Sequence, residues 1–200
     1  MTILLKQINY EVIFEPLEGQ TACGDQYLVK ELIDCTLLMV VDGLGHGSEA
    51  ALAAQIAIET VDSHATESIE NLFALCDQAL KSTRGAAITI VKLGLDYKMT
   101  YKAIGNVMGV HWNIDTRSKL NVKSFFLEGG IVGYKLPLPK NLSEFSCNAG
   151  DTIILATDGI KNQFEIDPPK FETPDKIARR VFSTYRNKKD DGLILVAQII

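Results

Sequence analysis

The rhythm of hydrophobic and polar positions along this chain changes twice. Residues 8–16, INYEVIFEP, partly alternate and predict a strand, as does DQYLV at 25–29. TLLMVV at 36–41 is apolar without alternation, which predicts a strand buried on both faces. The spacing then lengthens. From Ser48 to about Ala65, the residues Ala50, Ala53, Ala54, Ala57 and Val61 recur at helical intervals, with Ser48 placed to cap the first turn. From Ser68 to about Lys81, Ile69, Leu72, Phe73, Cys76 and Leu80 form a second helical stripe. Strand-like segments return in AAITIVKLG, KMTYKAI, NVMGVHW, KLNVKSFF and DTIILAT, separated by Gly, Asn and Asp. PDKIARRVFSTY predicts a third helix because Pro174 suits a first turn, and GLILVAQII closes as a strand. EIDPPKFETPD and GGIVGYKLPLPK read as loops.

This order is not the regular alternation of a doubly wound fold. Runs of strands with the helices set apart predict an α+β fold, in which two packed sheets carry helices outside. The length of 200 residues fits one domain, expected here over residues 1–200. It also allows a sizeable core without a disulfide or a structural metal. There is no internal repeat, low-complexity tract or long linker.

Composition, 46% hydrophobic and 22% charged, is ordinary and changes little. The net charge of −5 argues against a nucleic-acid partner, which calls for clustered Lys and Arg. The opening MTILLKQINYEVIFEP is broken by Lys6, Gln7 and Glu11, so it does not read as a signal peptide. No apolar run approaches the roughly 20 residues of a membrane helix, and a cytoplasmic protein is expected. Cys23, Cys35, Cys76 and Cys147 form no CxxC and stand at no zinc-finger spacing from a histidine. Cys35 and Cys76 read as small core residues.

The chemistry sits at strand ends. Asp42 follows TLLMVV and precedes Gly43; Asp158 follows TIILAT and precedes Gly159. Asp25 opens a strand after Gly24, and Asp190 and Asp191 stand before GLILVAQII. One Asp-Gly alone is usually a turn. Two of them, each directly after strongly apolar strand residues, are a different matter, because a carboxylate at the mouth of a core is costly unless paired or metal-bound. Converging carboxylates without thiolates or imidazoles favour hard cations such as Mg²⁺ or Mn²⁺. Other chemistries fare worse. The chain has no GxxxxGK[ST], no GxSxG and no HExxH, and GLGHG lacks the following Lys or Ser/Thr of a nucleotide loop. His64 is expected to face solvent, and His111, inside a strand, to be structural.

Four segments together resemble the SpoIIE-type metal-dependent protein phosphatases, within the wider PPM (type-2C) family: ACGDQY, DGLGHGSEAA, GDTIILATDGI and KKDDGLILVAQ. They occur in the family's order and span residues 23 to 197. The chain is most similar to small members that act in the bacterial stressosome without a sensor or regulatory domain. The resemblance implies a central antiparallel β-sandwich flanked by helices, with two divalent cations, Mn²⁺ or Mg²⁺, in a cleft at one end. It implies that Asp42 bridges the two ions and that the Gly43 carbonyl touches one. Asp158 and Asp190, rather than Asp191, would complete a shell, and Asp25 would hold bound water or touch the second ion.

Two cations about 3.5–4 Å apart would serve in-line attack of water on phosphorus without a phosphoenzyme. His46 would protonate the leaving alkoxide or support its loop. The family's N-terminal phosphate-binding arginine has no counterpart before Arg84, which leaves Arg84 and Asn106 as candidates for contact with substrate. Leu28 stands near the place of the family's second early acid. The implied activity is that of a phosphoserine/phosphothreonine protein phosphatase, a monomer. Its substrate would be a phosphorylated STAS-domain scaffold or antagonist protein in a partner-switching cascade, with negative feedback as its role. The alternative is a catalytically weak binding module of the same fold.

Overall fold

The computed structural model describes residues 6–114, 120–138, 141–166 and 172–200. The elements are β1 (Ile8–Glu15), β2 (Asp25–Glu31), β3 (Cys35–Gly43), α1 (Ser48–Ser63), α2 (Ile69–Ala79), β4 (Ala86–Gly94), β5 (Lys98–Ile104), β6 (Met108–Ile114), β7 (Leu120–Ser124), β8 (Ser143–Ser146), β9 (Thr152–Ala156), a 3₁₀ turn (Asn162–Ile166), α3 (Pro174–Tyr185) and β10 (Gly192–Ile199). The strands form two five-stranded antiparallel sheets, ordered β1-β10-β9-β6-β7 and β2-β3-β4-β5-β8. Helices α1 and α2 cover the second sheet and α3 covers the first, giving the α-β-β-α layering that the resemblance implies.

Three apolar cores explain why the central strands do not alternate. Along β3, Leu37, Met39 and Val41 pack under α1 and α2, while Leu38 and Val40 pack between the sheets. Along β10, Leu193, Leu195 and Ala197 fill the space between the sheets, and Ile194 and Val196 face α3. A strand with helices on one side and a sheet on the other has no wet face, so both residue parities are apolar. Each such Leu or Ile contributes about 1.5–3 kcal/mol by leaving water.

Most predicted elements form, with local differences. Ser48 is the first residue of α1 and not its cap; Gly47 is the cap, with φ +77° and no side-chain cap bond. A left-handed backbone suits glycine there, and it displaces the serine by one position. Ser68 caps α2 by accepting from the Asn71 amide at 3.2 Å. The NVMGVHW strand starts late, at Met108, because Gly105 and Asn106 make the turn out of β5. SEFS, a four-residue strand paired with β5, escapes sequence reading because it is too short to show a period.

The GGIVGYKLPLPK segment is tied down by a bridge between Val132 and Ala86, yet leaves Tyr134 and Leu138 exposed; its last residues, 139 and 140, lie outside the described ones. In EIDPPKFETPD, residues 167–171 lie outside as well, the start belongs to the 3₁₀ turn and the end to α3.

Candidate metal-binding cleft

The register of the sheets gathers the acidic residues at one end of the sandwich. Asp25 and Asp42 stand opposite each other across β2 and β3. Strand β9 runs antiparallel to both β10 and β6, so Asp158, just past its end, lies beside the turn that carries Asp190 and Asp191 into β10. Asp25 is buried. Its Oδ2 accepts from Thr157 Oγ1 at 2.7 Å, and the same hydroxyl accepts from the Leu193 amide at 2.9 Å. Asn106 Nδ2 donates to Asp158 Oδ2 at 2.7 Å, and its side chain also pulls the Asp42 carboxyl down.

The pair before β10 divides its work. Asp191 is buried, with Oδ1 accepting from the Leu17 amide at 2.6 Å and Oδ2 from the Gly24 amide at 2.8 Å. Both its oxygens are therefore occupied in holding the 17–24 segment against the closing strand. The Asp190 carboxylate accepts at Oδ1 from the Asp191 amide, at 2.9 Å, and among the described residues its Oδ2 accepts from no donor.

These carboxylates repel one another. Burial, and then the charge of Asp42, push the Asp25 carboxyl up to about 8, against the opposing pull of the Thr157 bond. Burial, and then the charge of Asp158, push Asp42 up to about 7, with the Asn106 bond opposing. Asp190 is raised as well, by burial first and then by Asp158 and Asp191, while the Asp191 amide and His46 pull it down. No cation figures among the leading influences on Asp25 or Asp42. An all-oxygen set of carboxylates with negative charge left to offset fits a hard divalent cation. Among the described residues, the ligand-type side chains gathered within 4.8 Å of one another are His111, Cys147 and Asp151, and the aspartates of the cleft are spread more widely.

The glycines beside the two aspartates have a packing task that the sequence reading did not include. A Cβ on Gly43 would collide with the Ala50 carbonyl oxygen of α1. One on Gly159 would collide with the Asp191 carbonyl oxygen. Each Asp-Gly thus places a carboxylate exactly one residue from a backbone-to-backbone contact that locks the next element in place.

The remaining candidates fall on the rim. His46 is exposed, and its Nδ1 lies 2.6 Å from Gln20 Nε2. Arg84 is exposed, ion-paired with Glu49 in the first turn of α1 and next to Gly45 in the glycine turn. Asn106 is brought to the aspartates as a donor to Asp158. Leu28 packs toward the helix-side core and offers no ligand. Away from the cleft, His64 is exposed at the end of α1, and His111 is buried, with Nε2 at 2.9 Å from Asp151 Oδ2. All four cysteines are free, and Cys35 and Cys76 are buried as expected. Sequence reasoning missed Thr157, Gln20 and the structural use of Asp191. Only Thr157 leaves a trace, as a hydroxyl at the end of an otherwise apolar run.

Comparison with known proteins agrees with this geometry. A family model described as stage II sporulation protein E (SpoIIE) matches residues 34–199. The chain is 26% identical over 186 residues to the phosphoserine phosphatase RsbX of Bacillus subtilis (strain 168), covering 91% of this chain and 90% of that one. Among solved structures, a chain from work on the bacterial stressosome, as a modular system adapted to control secondary-messenger signalling, superposes with a TM-score of 0.86 at 28% identity. It covers 96% of this chain and 100% of its own. RsbX crystallised with magnesium gives a TM-score of 0.85 at 24% identity over 98% of this chain and 97% of that one.

Proposed function

From the premise that this chain belongs to the SpoIIE family, we propose that it is a metal-dependent phosphoserine/phosphothreonine protein phosphatase of a bacterial stress-response cascade. The observation that carries the reading is the set of aspartates at one end of the sandwich, two of them raised by burial and mutual repulsion with no cation to offset them. Kinship with a phosphoserine phosphatase and with a stressosome chain supports the class of reaction and the setting.

In this reading Asp42, Asp158 and Asp190 hold two divalent cations, Mn²⁺ or Mg²⁺, together with the Gly43 carbonyl and Asp25. When bound, the cations supply Lewis-acid stabilisation of the phosphoryl oxygens and a water activated for attack near neutral pH. The chain's own residues do the rest. Thr157 fixes Asp25, and Asn106 fixes Asp158. Asp191 closes the cleft from behind through the Leu17 and Gly24 amides. His46, on the rim and close enough to Asp190 to lower its carboxyl, would in its protonated form give a proton to the departing serine or threonine oxygen and become the neutral ring. Arg84 contributes charge at the rim, and the Asn106 amide faces the substrate side.

The substrate is a phosphorylated STAS-domain scaffold or antagonist protein, and removing its phosphate resets the pathway as negative feedback. The protein acts in the cytoplasm as a monomer with residues 1–200 as one catalytic domain, and without nucleic acid or membrane as partner. Among the described residues no helix is long and apolar enough to cross a membrane.

The test is hydrolysis of p-nitrophenyl phosphate during a manganese titration, beside Asp158→Asn. Manganese-dependent turnover that the substitution removes supports the proposal. No turnover at any manganese concentration overturns it in favour of a binding module of the same fold.

A further inference from the structure

Two turns deliver Asp158 and Asp190 to the cleft, one at 157–161 after β9 and one at 187–191 before β10. A single side chain joins them. Arg186 follows the last residue of α3, and its guanidinium donates to carbonyl oxygens on both turns and on β1. Nη2 reaches the Asp190 oxygen at 2.6 Å and the Glu15 oxygen at 3.3 Å. Nη1 reaches Gly159 at 3.3 Å, Asp191 at 3.4 Å and the Asn187 carbonyl. The plane of the group lies over the Phe182 ring, 5.6 Å from its centroid. The backbone repeats the link, because the Asn187 amide donates to the Gly159 oxygen at 2.7 Å and the Lys161 amide to the Tyr185 oxygen at 3.0 Å. Carbonyl oxygens at a turn ordinarily turn to water; here a permanent cation with a planar fork of donors gathers them.

We propose that Arg186 is a positioning residue for the metal centre: by holding the Gly159 carbonyl on one turn and the Asp190 carbonyl on the other, it sets the separation of the Asp158 and Asp190 carboxylates. The proposal rests on the reading that these two aspartates are ligands. Arg186 touches neither carboxylate and no substrate; it acts through the backbone that bears them. Its charge also lies behind the acidic cluster, where it holds peptide oxygens without neutralising the carboxylates that face the cleft. The guanidinium geometry is what matters, since lysine offers a point charge that cannot span both turns.

Calorimetric titration of the metal-free protein with MnCl₂ tests this, with wild type, Arg186→Lys, Arg186→Gln and Ile177→Ala side by side. Ile177 is buried in the same helix layer but outside both turns, so it controls for lost stability. Both Arg186 variants are expected to bind manganese about 10-fold or more weakly, the cost typical of losing an outer partner of a ligand. Their p-nitrophenyl phosphate turnover returns to the wild-type level at saturating manganese, and Ile177→Ala keeps wild-type affinity. Wild-type affinity in Arg186→Lys overturns the positioning role and leaves the phosphatase reading intact. No manganese binding by wild type overturns both. Should the variants fail to fold, amide exchange in the metal-free wild type decides. The Asn187 and Lys161 amides are expected to be protected before any metal is added, and protection that arises only with manganese overturns the proposal.

Discussion

Strand β9 has an aspartate just beyond each end, and the two meet opposite company. At one end, Asp151 is buried among donors: His111 Nε2 at 2.9 Å, Asn113 Nδ2 at 3.1 Å and the Asn148 amide at 2.9 Å all converge on its Oδ2. At the other, Asp158 receives one donor, Asn106, and faces Asp42 and Asp190. The first end looks more like a metal site by inventory, since His111, Cys147 and Asp151 lie within 4.8 Å of one another. Its charge is already answered from inside the fold. The second end has the wider spread and the unanswered charge. Donors answer the acid at the first end and fall short at the second, and that balance favours a cation at the second more than the closeness of ligand-type side chains favours one at the first.

The comparison breaks first at the acidic end. Asp42→Asn is expected to lower manganese-dependent p-nitrophenyl phosphate turnover by more than about 100-fold, beyond the usual cost of an outer-shell change, while circular dichroism shows a folded protein. Equal turnover would show that the acidic end holds no catalytic metal. Asp151→Ala is the mirror experiment. It strands three donors at the buried end, so stability falls by about 3 kcal/mol and the melting temperature by about 6–12 °C. Turnover per folded molecule stays at the wild-type level, and a matching loss of turnover would erase the distinction between the ends.

A pH series on metal-free protein sharpens it further. Asp25 and Asp42 hold their protons up to about 8 and about 7 in the folded state, against an ordinary 3.8. The folded protein therefore binds more protons than the unfolded chain between those values, and its stability falls as pH rises from about 4 to about 8. In chelator the melting temperature is expected to be lower at pH 8.5 than at pH 5.5, and saturating Mg²⁺ to shrink that gap. A gap untouched by Mg²⁺ would place its origin elsewhere. The smallest effect belongs to the rim. Arg84 is exposed and already paired with Glu49, and exposed pairs are worth about 0.2–1 kcal/mol. Arg84→Ala should accordingly raise KM for p-nitrophenyl phosphate by less than about 5-fold, and a larger rise would give Arg84 a direct hold on phosphate.

Much of this was legible in the chain because local chemistry and fold agree. The apolar runs of β3, β4 and β10 announce strands without a wet face, and the alanine spacing announces α1. The aspartates at the strand ends were visible for the same reason: an acidic residue directly after a core strand is conspicuous. What stayed hidden depends on partners far along the chain. Asp190 and Asp191 are chemically alike; the resemblance favoured Asp190 as a ligand, but what Asp191 does instead appears only in its contacts with Leu17 and Gly24, more than 160 residues away. Arg186 reads as an ordinary charge at a helix end until the fold brings Glu15 and Gly159 to it. Gly47 took the cap from Ser48 because a backbone conformation, invisible in composition, decided the matter.

The collisions that a side chain at Gly43 or Gly159 would suffer bear on how such a site drifts over evolutionary time. Asp42 is half-buried and Asp158 exposed, and an amide of the same shape at either position leaves the layers behind it in place. The glycines beside them cannot be enlarged without displacing α1 or the closing strand. Descent from this architecture is thus free to shed catalysis before it sheds shape. A lineage that drops the chemistry and keeps the fold should be recognisable by glycines that persist after the neighbouring aspartates have gone.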